Sequence, residues 1–215
     1  MVLKGQFLER STLIPLQGAG VVLEGTAHRG ERQPPLLVLP PRPEEGGGMD
    51  HVLAAELAFA AARSGHATLR FNYRGVGASQ GGRGGSLVED ASAALDVALE
   101  NARARTAAVA ALHGSAPVAL ELAAQRPEAC GLCLIGPREL SLPALERLSV
   151  PLLVILWAGD TRTPRAPLAA ALAASGGTLE LVQDEGPAFP RNLPAVGHLV
   201  ARWLQALSGA ASPNS

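Results

Sequence analysis

Seven short apolar runs recur along the chain, separated by longer segments with helical spacing, and that alternation leaves few folds open. The pattern predicts strands near Val21 to Ala27, Leu36 to Leu39, Ala67 to Tyr73, Ala107 to Leu112, Gly131 to Ile135, Leu152 to Trp157 and Thr178 to Val182. Between them it predicts helices near Asp50 to Arg63, Leu87 to Arg103, Pro117 to Gln125, Pro167 to Ala174 and Leu193 to Leu207. The first of these helices opens after Asp50 and closes at Ser64-Gly65, residues suited to its two ends. Runs such as Leu152 to Trp157 are apolar at every position, as strands are when helices cover both faces of a sheet. The expected architecture is therefore a doubly wound α/β fold, a mainly parallel sheet with helices on both faces.

Composition narrows what such a domain does. With 215 residues, 47% of them hydrophobic and 17% charged, the chain has enough material for one packed core. We expect an N-terminal arm over 1–11, a single domain over 12–207 and a disordered polar tail over 208–215. Even Leu152 to Ala158, an uninterrupted apolar run that no other exceeds in length, falls far short of the roughly 18 residues a membrane span requires. The N-terminus shows no apolar stretch followed by a cleavage site, so the expectation is a cytoplasmic protein without a membrane contact. A net charge of -1 and seven aromatics spread along the chain do not suit a nucleic-acid surface. Lys4 is the one lysine against seventeen arginines and lies near a terminus, which argues against Schiff-base and Ser-Lys chemistry.

The run Ala107 to Leu112 leads into His113-Gly114-Ser115-Ala116-Pro117 and then a helix. A strand, a tight turn holding serine and a helix form the context of the nucleophile elbow, G-x-S-x-G. Read on Ser115, both outer glycines are replaced, by His113 and Pro117. Proline is tolerated at a first helical position, and in this reading the Ala116 N–H stays available to an oxyanion.

Three further segments bring a family into view. Phe71-Asn72-Tyr73-Arg74-Gly75-Val76-Gly77-Ala78-Ser79-Gln80-Gly81 resembles the strand-turn signature F-N-F-R-G-V-G-x-S-x-G of small bacterial α/β-hydrolases related to dienelactone hydrolase. Gly46-Gly47-Gly48-Met49-Asp50 is similar to that family's G-G-T-M-D, and Leu23-Glu24-Gly25 to its early L-E-G strand. The resemblance runs from about Ile14 to Leu207 and implies an α/β-hydrolase fold with no substantial cap domain. It also implies a serine at the elbow, which Ser115 matches, an acid after the next-to-last strand and a histidine after the last.

The last two positions depart from the family. Gly159-Asp160-Thr161-Arg162-Thr163-Pro164 puts Arg162 where the acid belongs, and Gly186-Pro187-Ala188-Phe189-Pro190 holds no histidine. The family's H-P-H-P becomes Pro40-Pro41-Arg42-Pro43, in which Arg42 alone offers a backbone N–H. Loss of a triad member costs roughly 10⁴ to 10⁶ in turnover. The resulting expectation is a hydrolase-like pseudoenzyme that binds a small ligand or a protein partner at the former crevice. The alternative is an active serine hydrolase of small esters or thioesters using Ser115 with a non-standard base.

The candidate catalytic residue is Ser115, and the candidate crevice residues are Ala116, Arg42, His113, Arg74, His51 and Arg162. Arg42, Arg74 and Arg162 read either as solvated arginines or as an anion-binding rim. Glu139 is a candidate substitute acid; His198 points away from the apolar stripe of its helix and reads as a solvated histidine rather than a base, while His28 and His66 are assigned no role. No metal or cofactor is expected. Cys130-Gly131-Leu132-Cys133 falls in a strand rather than at a helix N-terminus, which favours structural thiols over a redox pair. The Gly75 to Gly85 loop lacks the third glycine of a dinucleotide fingerprint and reads as a mobile loop beside the crevice.

Overall fold

The computed structural model describes residues 7–18, 20–82 and 84–210. Eight strands form one sheet: β1 (Arg10–Leu16), β2 (Val21–His28), β3 (Arg32–Leu39), β4 (His66–Phe71), β5 (Ala107–Leu112), β6 (Ala129–Ile135), β7 (Leu152–Trp157) and β8 (Thr178–Val182). Their spatial order is β1-β2-β4-β3-β5-β6-β7-β8. Strand β2 is antiparallel to both neighbours, and every pairing from β4 onward is parallel. Six helices connect the strands: α1 (Val52–Arg63), α2 (Leu87–Ala102), α3 (Ala116–Gln125), α4 (Leu142–Glu146), α5 (Arg165–Ser175) and α6 (Leu193–Ala210).

The period-2 geometry of the strands sends alternate residues to two cores. From β3, Leu37 and Leu39 join one core with α2, α3, α4 and α5. Leu36 and Val38 join the other, with α1 and α6. Strand β5 has alanine at four of its six positions and is wholly buried, so the helices packed on the middle of the sheet meet mostly small side chains there. No described helix is long and apolar enough to cross a membrane.

Two expected boundaries move. The segment 1–11 is not an arm throughout, because β1 starts at Arg10 and the Glu9 carboxylate accepts from Arg70 Nη2 at 2.7 Å. Strand β1 went unpredicted because it lies on the antiparallel edge: Ile14 is buried while Leu13 beside it is 75% exposed. At the other end α6 continues to Ala210, and the Ser208 hydroxyl bonds the carbonyl of Gln33. Of the expected disordered tail, 208–210 are helical, and 211–215, like 1–6, lie outside the described residues.

Strands β3 and β5 are neighbours at the middle of the sheet. The chain leaving β3 and the chain leaving β5 thus emerge side by side at its C-terminal edge, where α/β sheets bind ligands.

Candidate functional site

The turn after β5 concentrates its backbone strain at His113, not at Ser115. His113 has φ 51, a left-handed value unusual for any residue but glycine. Ser115 has φ -82 and ψ -1, which is ordinary helical backbone. In register with the fold, the elbow reads Ala111-Leu112-His113-Gly114-Ser115. Alanine and serine stand where the pattern has its outer glycines, and histidine stands where it has the nucleophile.

This placement revises the Ser115 and Ala116 expectations. Ser115 is fully buried, and its hydroxyl donates to the Pro40 carbonyl at 2.5 Å. The Tyr73 hydroxyl lies 3.1 Å from Ser115 Oγ. Burial holds the Tyr73 phenol far above its usual titration range, against the smaller opposing effect of this hydrogen bond. Ala116 N–H is bonded to the His113 carbonyl and closes the turn, so it is not offered to a ligand.

The His113 ring is buried, with Nδ1 3.3 Å from the Gly136 carbonyl. A ring nitrogen facing a carbonyl must carry the proton, which leaves Nε2 as the acceptor. Gly136 has φ 52, and a Cβ there would stand 3.1 Å from this Nδ1. The His51 ring meets His113 edge-on, with centroids 5.5 Å apart at 80°. Its Nδ1 accepts from Leu53 N–H at 3.3 Å, at the start of α1. Burial lowers the pKa of both rings. At His113 the neighbouring His51 and Arg138 act in the same direction as burial, and the Gly136 carbonyl and Glu45 oppose it.

A carboxylate occupies the centre of the site. Glu45 ends a single 3-10 turn, Pro43–Glu45, that follows β3. Its Oε2 accepts from Gly114 N–H at 3.1 Å and from Arg42 N–H at 3.2 Å. Its Oε1 accepts from Arg138 Nη1 at 2.7 Å. Gly114 follows the elbow residue and Arg42 lies in the loop after β3, the two places from which this kind of turn supplies its pair of oxyanion donors. The Arg42 side chain reaches Glu139 Oε1 at 3.0 Å. Gly114 must be glycine for this arrangement: a Cβ would lie 2.6 Å from Arg42 Nε and 2.7 Å from Glu45 Oε2.

Comparison with known proteins fits the topology. The chain is similar to an α/β serine hydrolase homologue from Coxiella burnetii, at 24% identity over 91% of this chain and 97% of that one, TM-score 0.77. It is also similar to a lidless α/β serine hydrolase from Xanthomonas campestris, at 22% identity over 95% and 97% of the two chains, TM-score 0.74. A dienelactone hydrolase from Anabaena variabilis superposes with TM-score 0.72 at 19% identity over 94% and 98%. This chain has the lidless α/β-hydrolase fold. No protein-family model and no curated protein matches it.

Within the α/β-hydrolase fold the remaining candidates separate. His51, His113 and Arg42 come together around Glu45. Arg74 does not join them: its Nε donates to the buried Asp90 at 2.7 Å, its N–H to the same carboxylate at 2.9 Å, and its Nη2 to Glu89 at 3.1 Å. It pins the loop to the start of α2. The part of that loop up to Gln80 is braced, since Ser79 Oγ donates to Asn72 O at 2.7 Å and accepts from Glu24 N–H at 2.9 Å. Glu24 Oε2 also accepts from Asn72 Nδ2 and Ala78 N–H at 2.9 and 2.8 Å. The family-like signature therefore builds framework.

In the loop after β7, Asp160 is buried and accepts from the N–H groups of Arg162 and Thr163 at 2.8 and 3.2 Å. Arg162 itself is exposed, with its Nε 3.9 Å from Asp160. In the loop after β8, Phe189 is fully buried in the core, and Pro187 lies beside Gly136 on the His113 side. The two cysteines are free thiols in β6, and burial raises the pKa of each. Among the described residues no group of His, Cys, Asp or Glu is arranged to hold a metal ion.

Glu45 carries no signal in the sequence. Its contact with Gly114 spans 69 positions and exists only once β3 and β5 are adjacent. The His113 register does leave a trace, because Ala111 and Ser115 are small residues spaced two on either side of it.

Proposed function

We propose that this protein is a non-hydrolytic α/β-hydrolase-fold protein that binds a ligand at the crevice between β3 and β5. One observation carries the reading: the elbow residue is His113, and the two donors beside it already hold the Glu45 carboxylate. Three others support it. The Ser115 hydroxyl is committed to Pro40, the Gly186 to Pro190 segment contains no titratable side chain, and Asp160 is engaged by its own loop. A serine without a base loses roughly 10⁴ to 10⁶ in turnover, and removing further triad members adds little to that loss.

The test is labelling with a fluorophosphonate probe, run on the wild type, Ser115→Ala and a heat-denatured sample. We expect no fold-dependent labelling of any serine. Stoichiometric labelling of the folded protein that disappears in Ser115→Ala would overturn the reading and restore a serine hydrolase.

A further inference from the structure

Glu45 forms its hydrogen bond to Arg42 N–H as a side chain reaching back over its own turn, which a capping role explains. Capping does not explain why the same oxygen takes Gly114 N–H from the far side of the β3–β5 seam, nor why Oε1 takes Arg138 from the loop after β6. The donors converge on a carboxylate from three separate segments. A fourth lies next to them: Arg42 Nε is buried with no hydrogen-bond partner among the described residues, and it borders the face of Gly114. A buried guanidinium donor left unpaired has a cost that an incoming oxygen would remove.

Resting on the non-hydrolytic reading above, we infer that this crevice is a binding site for a small monocarboxylate, which takes the place of the Glu45 side chain on the Arg42 and Gly114 N–H groups. Charge selects the class. Arg42 and Arg138 carry two positive charges, and Glu139 and Glu45 carry two negative ones. A monovalent carboxylate reproduces the charge and the two-oxygen shape of the occupant it replaces, whereas a dianion adds a negative charge with no partner. The second oxygen of the ligand would take Arg138 or the unpaired Arg42 Nε. Exchange is sterically available to Glu45. Its turn ends at Gly46, which has φ 69 and no heavy atom within 4 Å of a Cβ built on it, so the turn borders open space.

An internal carboxylate competes at an effective concentration of millimolar or above. Free carboxylates should therefore bind the wild type weakly and a Glu45 variant more tightly. The experiment is titration of sodium butyrate into 15N-labelled wild type, Glu45→Gln and Glu45→Ala, following the Arg42 and Gly114 amide resonances, with inorganic phosphate and chloride as comparison anions.

The expected result is saturable movement of both amides by butyrate in the wild type, at least about tenfold tighter in Glu45→Ala, with Glu45→Gln between them, as removal of a tethered competitor predicts. Gly114→Ala in the Glu45→Ala background should abolish the movement. Three results overturn the inference: amides silent in every variant, movement confined to Glu45→Ala with the wild type unresponsive, or tighter binding of phosphate than of butyrate. None of these makes a serine reactive, so fluorophosphonate labelling tests the non-hydrolytic reading separately.

Discussion

The Ser115 hydroxyl donates to the carbonyl oxygen of Pro40 at 2.5 Å, joining the turn that precedes α3 to the chain that leaves β3. The bond is fully buried and shares its oxygen with the Tyr73 hydroxyl. Ser115→Ala strips Pro40 and Tyr73 of that partner, and unpaired buried polar groups cost about 1–3 kcal/mol. We expect a drop of about that size in urea unfolding, together with an unchanged rate of p-nitrophenyl acetate hydrolysis. A rate that fell with the mutation would show that the hydroxyl does chemistry.

His113→Ser places a hydroxyl on the strained elbow position itself. With no histidine in the Gly186 to Pro190 segment, the new serine has no base in the place where this turn needs one. Ester turnover should stay within about tenfold of the wild-type background, because triad members act as a unit. A larger gain, measured with p-nitrophenyl acetate, would mean that His51 or another group serves as base.

Arg74 is the partner of a carboxylate with no solvent exposure, Asp90. Arg74→Met leaves that charge uncompensated, at a cost of about 3–5 kcal/mol. Adding Asp90→Asn should recover part of the loss, and chemical denaturation of the two single variants and the double variant measures the coupling. Independent, additive effects would show that the pair does not hold the loop.

Burial lowers the pKa of His28, His51, His66 and His113. Each ring takes a proton less readily in the folded chain than in the unfolded chain, where it titrates near its ordinary value of 6.5. Below 6.5 the unfolded state then binds more protons, so stability falls as the pH drops through that value toward the lowered folded pKa values. Urea midpoints measured at about pH 7.5 and about pH 5 should show the decline, and His66→Asn, which keeps a donor for the Pro34 carbonyl, should shrink it. A midpoint that rises on acidification would contradict the sign.

Periodicity made the parallel part of the sheet legible, since β5, β6 and β7 are buried apolar runs bounded by turn residues. It missed β1, where Arg10, Ser11 and Thr12 dilute the pattern and half the side chains face water. The site was legible in its location and not in its register. A serine in a turn drew the G-x-S-x-G frame onto Ser115, but the frame belongs to the residue with left-handed backbone, and sequence does not display φ. The arginines were hard to place for a related reason. Arg42, Arg74 and Arg162 all follow strands, and only in the folded chain does each guanidinium find its carboxylate, Glu139, Asp90 and Asp160 respectively.

The order of the strands has a consequence for how the molecule holds together. Every strand on one side of the β3–β5 seam comes from Arg10 to Phe71, and every strand on the other comes from Ala107 to Val182, so in the sheet the seam joins two successive parts of the polypeptide. Arg42 and Glu45 belong to the first part, Gly114 and Arg138 to the second. Whatever sits on those donors acts as a clasp between fragments. Cutting the chain within α2 would yield two pieces whose reassociation strengthens or weakens with the occupant of the crevice.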